Sequence, residues 1–470
     1  MTAMSTKISP IDIYKLLPKT NCRLCGEDNC MAFAAKIANR EKTLEQCIPL
    51  LEKKFSDNYN KLWKALKPPI KEIIVGIGER TTKLGGAFVQ YRHEFRYVNP
   101  TAFAIDVVDE LPEDELLARA RSIEDLTYSY IGQDLRLDMI AIRSTSRDHK
   151  LFGEAVDKLA KATKMPMILC SFDPKIMESG LAASRNRRPL IYGATEDNWR
   201  EMADLALEFN CPLTLSAPSN VKLLRSLSKT MLEYGVQDLV LDPGTLSNGD
   251  LLNTTSQFSM LRRMAFEDEL LGFPLMGTPI TAWTHDEASD LKRWKEAYLA
   301  SVLISRYADI IVMHSLDGWV LLPNMVLRQN LYTDPRRPVA VEAGLRNFGK
   351  NDEKSPVLLT TNFALTYYTV SSDIESSGVS AYLMVVDTEG ISVESAVAGR
   401  KLTAETIRDA INQTKLAEKV NHKTIVIPGK ASRLSGEIEE ITGWHVLVGP
   451  MDSSMIPKFL VEKWTSGAAD

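Results

Sequence analysis

Between about Ile70 and Ser315 short apolar runs recur along the chain: EIIVGIG, FAIDVVD, MIAIRS, MPMILCS, PLIYGA, PLTLSA, DLVLDPG, PLMGTP and DIIVMHS. Each suits a strand buried on both faces, and helical stretches such as EDNWREMADLALEF and SNVKLLRSLSKTMLEYG lie between them. Roughly eight β/α units over some 250 residues predict a TIM (β/α)8 barrel rather than an open sheet. EIIVGIG also has a second reading, as one arm of a hairpin with FVQYRHEFRY that closes the barrel bottom.

In such a barrel chemistry gathers at the C-terminal ends of the strands, where Asp106, Arg143, Asp173, Asp242, Thr278 and His314 fall. No convincing pair is visible among them. Asp242 is similar to the strand-end aspartate of pterin-binding barrels, but a strand ending in Asp-Pro-Gly is also simply a good turn, and the turn is the leading reading. His314, alone among apolar neighbours, reads as a hydrogen-bonded structural histidine. GIGERTTKLGG lacks the strand-to-helix context of a phosphate loop and reads as hairpin turns.

A barrel accounts for little more than half of 470 residues, a length that suits about three domains. Beyond YTDPRRP and NFGKNDEKSP, the strands SPVLLTT, AYLMVVD, KTIVIPG and WHVLVGP alternate with helical stretches, which predicts a small doubly wound (Rossmann-like) α/β domain. The expected division is 1–62 for an N-terminal cysteine domain, 63–330 for the barrel, 331–354 for a linker and 355–470 for the α/β domain. In such a sheet a ligand binds beyond the strand C-termini, which present Thr360, Thr361 and Asn362, then Asp387, then Gly429 with Ala431 and Ser435, and Gly449. This rim is small and mostly uncharged. No G-x-G-x-x-G follows the first strand, so a bulky, largely neutral cofactor suits it better than NAD.

Cys22, Cys25, Cys30 and Cys47 read C-x2-C-x4-C-x16-C. Before them SPIDIYKLLP is a short helix with Ser9 as cap and Pro10 in its first turn, ended by Pro18. Asn21, Gly26 and Asn29 supply turn residues, and MAFAAKIANR is an amphipathic helix with Phe33, Ala34 and Ile37 on its inner face. Structural zinc usually shows two C-x2-C knuckles or a histidine pair, and no histidine precedes His93. The spacing favours an iron-sulfur cluster over zinc, with inert thiols as the bland alternative. Cys170 and Cys211 sit in apolar runs and read as core thiols.

A net charge of -5 with 25% charged residues gives no electrostatic reason for a nucleic-acid partner. The start, MTAMSTKISP, has no apolar signal core, and no run is long enough for a bilayer, so a cytoplasmic protein without membrane contact is expected.

The stretches PIDIYKLLPKTNC with the four cysteines, SPVLLTTNFALTYYTV, IPGKASRLSGEIEE and VGPMDSSMIPKFL together resemble the large (gamma) subunit of the corrinoid iron-sulfur protein of the acetyl-CoA decarbonylase/synthase system, over the full length. The resemblance implies a [4Fe-4S] cluster on Cys22, Cys25, Cys30 and Cys47. It implies a base-off cobamide, with no protein ligand on cobalt, held in the C-terminal domain by Thr360, Thr361, Asn362, Phe363, Ala364, Gly429, Ala431, Ser435 and Gly449. It also implies a methyltransferase component: cobalt takes a methyl group from a methyl-tetrahydropterin and passes it to the acetyl-CoA synthase metal cluster, or the reverse, after reduction by the iron-sulfur cluster. No side chain is then catalytic in itself. Implied partners are the small (delta) subunit, the acetyl-CoA synthase subunit and the methyl-tetrahydropterin or its methyltransferase. His422 and His445 lie outside any D-x-H-x-x-G setting, which agrees with a base-off corrinoid, and His445 is expected in the core. Two departures stand out: Arg23 and Leu24 replace the usual N-C-G-x-C-G residues, and Met451 and Asp452 replace a charged pair. The competing readings are an iron-sulfur electron-transfer or scaffold subunit without corrinoid, and a zinc-stabilised barrel hydrolase.

Overall fold

The computed structural model describes residues 8–78, 80–246, 250–284 and 286–464, so the opening residues 1–7, part of the stretch in which no signal core was found, lie outside it. The described residues form two compact units, the first running to Tyr128 and from Leu135 to Tyr332, the second taking Ser129–Asp134 and everything from Thr333.

Eight of the nine apolar runs become the barrel. The strands Ala102–Val108, Met139–Arg143, Met167–Cys170, Leu190–Ala194, Leu213–Ser216, Leu239–Asp242, Met276–Gly277 and Ile310–Met313 pair in parallel, each with its neighbour around the ring. Only the Leu239–Asp242 and Met276–Gly277 edges lack a continuous ladder. A single parallel bridge, Leu241 to Leu275, joins them, with the Leu241 N–H donating to the Pro274 carbonyl at 2.8 Å.

The ninth run does form a hairpin, but its partner differs from the expected one. Glu72–Ile77 pairs antiparallel with Arg80–Gly85, Ile77 opposite Arg80, and not with residues 88–97. Arg80–Gly85 follows almost directly in the chain, so the edge of Glu72–Ile77 is taken by a local partner. FVQYRHEFRY is instead a loop, closed by Tyr97 Oη donating to the Gln90 carbonyl at 2.8 Å. Ile73, Val75 and Leu84 of the hairpin are fully buried against Ala102, Met139, Leu190 and Ile310 at the strand starts, so the hairpin does plug the barrel bottom. Each such aliphatic contributes about 2 kcal/mol.

The C-terminal sheet has five strands in the order Gly344–Phe348, Ala381–Val386, Val357–Thr361, Thr424–Ile427 and His445–Val448, the first antiparallel and the rest parallel. Alternate residues feed two cores: Val357, Leu359, Met384 and Ile427 on one face, Leu358, Leu383, Val385 and Val426 on the other. Both faces are covered, as a doubly wound sheet requires. The stretch 331–354, expected as a linker, carries the edge strand Gly344–Phe348. Its register to Ala381–Val386 and the burial of Phe348 make it part of the domain.

This sets where the chain can be cut. A fragment beginning at Thr333 should unfold cooperatively in urea, whereas one beginning at Asn351 should lose at least about 2 kcal/mol, the burial of Phe348 alone, besides the five-residue pairing. Equal midpoints would show that the edge strand adds nothing.

Candidate functional site

The cysteine loop is built by local hydrogen bonds. The helix Pro10–Leu16 starts at Ser9, whose hydroxyl accepts the Asp12 N–H, and stops before Pro18. Asn21 and Arg23 take left-handed backbone, with Gly26 at φ 79 closing a turn onto the Arg23 carbonyl at 2.9 Å. Asn21 Oδ1 accepts the Cys30 N–H at 2.9 Å, and the Asn21 N–H points at Cys30 Sγ, 3.4 Å away. Asn29 caps the helix Cys30–Ala38, whose Phe33, Ala34 and Ile37 are buried as expected. Two short 3-10 turns, Leu44–Gln46 and Ile48–Leu51, bring Cys47 back.

All four cysteines line one small cavity with Phe33 and Pro49. Cys22 is exposed, while Cys30 and Cys47 back onto the core. Burial pushes the Cys47 thiol up, and the charges of Cys25, Cys30 and Cys22 add to that. Four thiolates in this space therefore repel one another until cations join them, which fits the donor set of an iron-sulfur cluster. Among the described residues no three His, Cys, Asp or Glu side chains are grouped as a single-ion site.

A second site lies at the C-terminal ends of the α/β strands: a cavity of about 430 Å³ lined by Thr360, Leu365, Thr366, Thr369, Glu394, Gly429, Lys430, Gly449 and Met451 to Ser453, among others. Gly429 and Gly449 let the two strand ends pack closely together at the cavity floor. A Cβ on Gly429 would stand 2.9 Å from the Gly449 carbonyl and the Met451 sulfur, and one on Gly449 would stand 3.0 Å from the Ile427 carbonyl. Thr360 lines this space, and its hydroxyl is buried and without a partner; so is that of Thr361, the next residue of the same strand, which lies off the cavity. A large uncharged group with hydrogen-bonding edges fits such a cradle.

Of the rim residues named from sequence, Thr360, Gly429 and Gly449 line this cavity; Thr361, Asn362, Phe363, Ala364, Ala431 and Ser435 do not. Asn362 Oδ1 is taken by the N–H groups of Thr388 and Gly390, and its amide donates to Asp387 Oδ1 at 2.9 Å. The backbone of Asn362 to Ala364 pairs with the 339–341 segment. Ala431 is core, and Ser435 begins the helix Ser435–Thr442. The sequence reading missed Leu365, Thr366, Thr369 and Val370 of the helix Ala364–Ser377, and it noted Met451 and Asp452 only as departures and left them out of the site. Their place directly after a strand end was the available signal.

Neither histidine of this domain reaches the cavity. His422 Nδ1 accepts the Thr424 N–H at 3.2 Å, so Nε2 carries the proton and donates to the Ser355 carbonyl at 3.1 Å. His445 is exposed, not in the core, because it opens its strand at the solvent end and pairs with Glu439 Oε1 at 2.8 Å.

The barrel mouth corrects the expectation that no pair forms there. Asp106, buried, accepts from His314 Nδ1 at 2.6 Å, Arg143 at 2.7 Å and Arg119 at 3.2 Å. Burial pushes its carboxyl up, but the bonds to His314 and Arg143 outweigh that and hold it below its ordinary value. Trp283 lies 4.3 Å from the His314 ring, and buried Glu296 takes the N–H groups of His314 and Ser315. Asp242 is buried beneath Tyr192 Oη at 2.8 Å and raised by that burial, while its Oδ1 accepts from Gly244 as the turn reading requires. Asp173 caps the helix Pro174–Ala183, and the Thr278 N–H donates to Thr245. Cys211 is buried and Cys170 half-buried against the barrel core, each thiol pushed up to about 12 by burial.

Residues 72–460 match the protein-family model "CO dehydrogenase/acetyl-CoA synthase delta subunit", and residues 17–49 match "Putative Fe-S cluster". Acetyl-CoA decarbonylase/synthase complex subunit gamma 2 of Methanosarcina thermophila is 44% identical over 97% of this chain and 98% of its own length. The chain belongs to the acetyl-CoA decarbonylase/synthase gamma-subunit family. The gamma subunit of Methanothermobacter thermautotrophicus is likewise 44% identical over 97% of this chain and 98% of its own. Among solved structures, dihydropteroate synthase of Thermus thermophilus covers 56% of this chain and all of its own at 15% identity and a TM-score of 0.39. As a member of this family the chain is a subunit of a larger complex with an iron-sulfur domain at its N-terminus. Among the described residues no helix is long and apolar enough to cross a membrane.

Two measurements follow. Asp106→Asn leaves Arg119 and Arg143 facing a neutral amide and should cost about 3 kcal/mol at pH 7. Because the folded carboxyl sits below its unfolded value, its contribution is full above about pH 4 and is lost as the pH falls through the lower folded value. The gap between variant and wild-type chemical denaturation should therefore close in acid, and a gap constant from pH 7 to 2 would exclude the ion network as its source. Cys47→Ala should lose the bound iron; a variant retaining the wild-type iron content would show that Cys47 is no ligand.

Proposed function

We propose that the chain is the corrinoid methyl carrier of its complex. The observation that carries this reading is the 430 Å³ cavity at the strand C-termini, uncharged at its glycine floor, with the unpartnered Thr360 hydroxyl and no histidine in its lining. A corrinoid bound there would supply a cobalt that carries a methyl group between a methyl-tetrahydropterin and the acetyl-CoA synthase metal cluster, with the [4Fe-4S] cluster as its reducing partner. Gly429 and Gly449 admit the group close to the backbone, Thr360 offers a hydrogen bond to its edge, and the helix Ala364–Ser377 lines one side. Thr361, Asn362, Phe363, Ala364, Ala431 and Ser435 act behind this wall as support rather than contact.

Cys22, Cys25, Cys30 and Cys47 are the proposed ligands of the [4Fe-4S] cluster. Thiolates distributed around a shared cavity suit the corners of a cube better than one zinc ion. The delta subunit, the acetyl-CoA synthase subunit and the pterin methyl donor or its methyltransferase are the proposed partners, and a cytoplasmic setting is proposed with them. The iron-sulfur scaffold without corrinoid remains the alternative to test against.

Anaerobically purified protein should contain about one cobalt beside about four irons, and iron without cobalt would replace the carrier reading with the scaffold one. The cobalt(II) electron paramagnetic resonance spectrum should show no nitrogen splitting and should be unchanged in His422→Ala and His445→Ala, since both rings are committed elsewhere. Splitting that vanishes in either variant would assign that histidine to the metal.

A further inference from the structure

We propose that Asp452 is a tuning charge: its carboxylate at the wall of the C-terminal cavity favours the oxidised member of a bound corrinoid's cobalt(II)/cobalt(I) couple and so lowers the potential at which cobalt(I) forms. This rests on the carrier reading above. Three charged residues line the cavity, Glu394, Lys430 and Asp452. Two of them answer each other, with Lys430 Nζ 3.3 Å from Glu394 Oε2. Asp452 has no ion pair among the described residues. It caps the turn Ser453–Met455 instead, its Oδ1 accepting the Ser454 N–H at 3.0 Å. That bond and one from the Ser454 hydroxyl hold its carboxyl below the ordinary value, so it is ionised at neutral pH. Beside it Ser453, also in the lining, donates its hydroxyl to Asp373 of the helix Ala364–Ser377, a second carboxylate without a cation. The lining hydroxyls of Thr360, Thr366, Thr369 and Ser392 are neutral. One positive and two negative side chains thus give the lining a net charge of -1, and Asp452 is its source.

Charge sets the direction. A corrin ring is a monoanion, so its cobalt(II) complex carries one positive charge on metal and ring, and its cobalt(I) complex carries none. On reduction one electron enters cobalt and the reducing partner is oxidised by one, with no bond to the protein made or broken. A carboxylate in the wall attracts the positive member and is indifferent to the neutral one, which moves the couple down. The consequence is a harder reduction and a more nucleophilic cobalt(I). The N-terminus of the helix Ala364–Ser377 brings partial positive charge to the same end of the sheet. That charge belongs to the backbone and stays when Asp452 is replaced, so the effect of losing the carboxylate keeps its sign. Water screens this exposed side chain, which limits the size of the effect.

The test is a redox titration of cobalt in the full, corrinoid-loaded chain, read by the cobalt(II) electron paramagnetic resonance signal. Asp452→Asn keeps a capping oxygen and removes the charge. At a fixed potential its cobalt(II)/cobalt(I) ratio should fall about tenfold, a midpoint raised by about 59 mV, with the lineshape unchanged. Lys430→Met leaves Glu394 unanswered and should move the midpoint the opposite way. Glu440→Gln, in the last turn of the helix Ser435–Thr442 and outside the lining, should leave it in place. An unmoved midpoint in Asp452→Asn at wild-type cobalt content would overturn the proposal. So would a shift of both cavity variants in one direction, or an equal shift in Glu440→Gln. Loss of cobalt from Asp452→Asn would overturn it as well, since the residue would then hold the group rather than tune it. A wild-type chain that takes up no corrinoid would remove the carrier reading and this inference with it.

Discussion

The chain directs its chemistry through the polarity of parallel strands. Closing eight of them takes one short bridge, Leu241 N–H to the Pro274 carbonyl, between edges that otherwise lack a continuous ladder. Once the ring is closed every strand ends on the same side. Asp106, Arg143 and His314, far apart in sequence, then meet in one ion network. The hairpin Glu72–Ile77 with Arg80–Gly85 fills the opposite end with aliphatic side chains, while the mouth holds the Asp106 network.

The Asp106 network shows how burial and pairing compete. A carboxylate at 0% exposure is costly unless its partners outweigh the desolvation, and here His314, Arg143 and Arg119 do. Asp242, on another strand of the same mouth, has a tyrosine hydroxyl in place of cations, and its carboxyl is raised instead. Asp309, near the strand starts, is also raised by burial although Arg262 reaches it at 2.6 Å. Two strand-end aspartates thus hold opposite tendencies because of the residues that other elements bring to them.

Those differences explain what could be read from the sequence. Strand runs and helix caps depend on residues within a few positions, so eight barrel strands, the Ser9 cap and the inner face of Phe33, Ala34 and Ile37 were legible. The four-cysteine loop was legible because its cysteines lie within one short segment. The Asp106 network was not, since its partners are 13, 37 and 208 residues away. The hairpin partner was misread because the aromatic alternation of FVQYRHEFRY is a stronger strand signal than RTTKLG, which pairs with Glu72–Ile77 instead. Around the C-terminal cavity, strand-end residues were found and the facing helix was not, because which helix side faces the cavity depends on the crossover back to the sheet. Gly344–Phe348 was taken for linker because an edge strand of mixed polarity has no buried face on one side.

The same polarity decides the fate of the histidines. In the C-terminal sheet a ligand cavity forms where the strands end, and His422 and His445 stand where the strands Thr424–Ile427 and His445–Val448 begin. A strand of four residues spans about 13 Å, more than an imidazole can reach. Each ring is also committed at its own end, His422 between a backbone N–H and a carbonyl, His445 against Glu439. The cavity is lined by aliphatic side chains, glycines and hydroxyls with Asp452 and one ion pair, Lys430 with Glu394, and by no histidine. The direction of the strands, fixed by the right-handed crossovers between them, puts both histidines at the end of the sheet opposite the cavity.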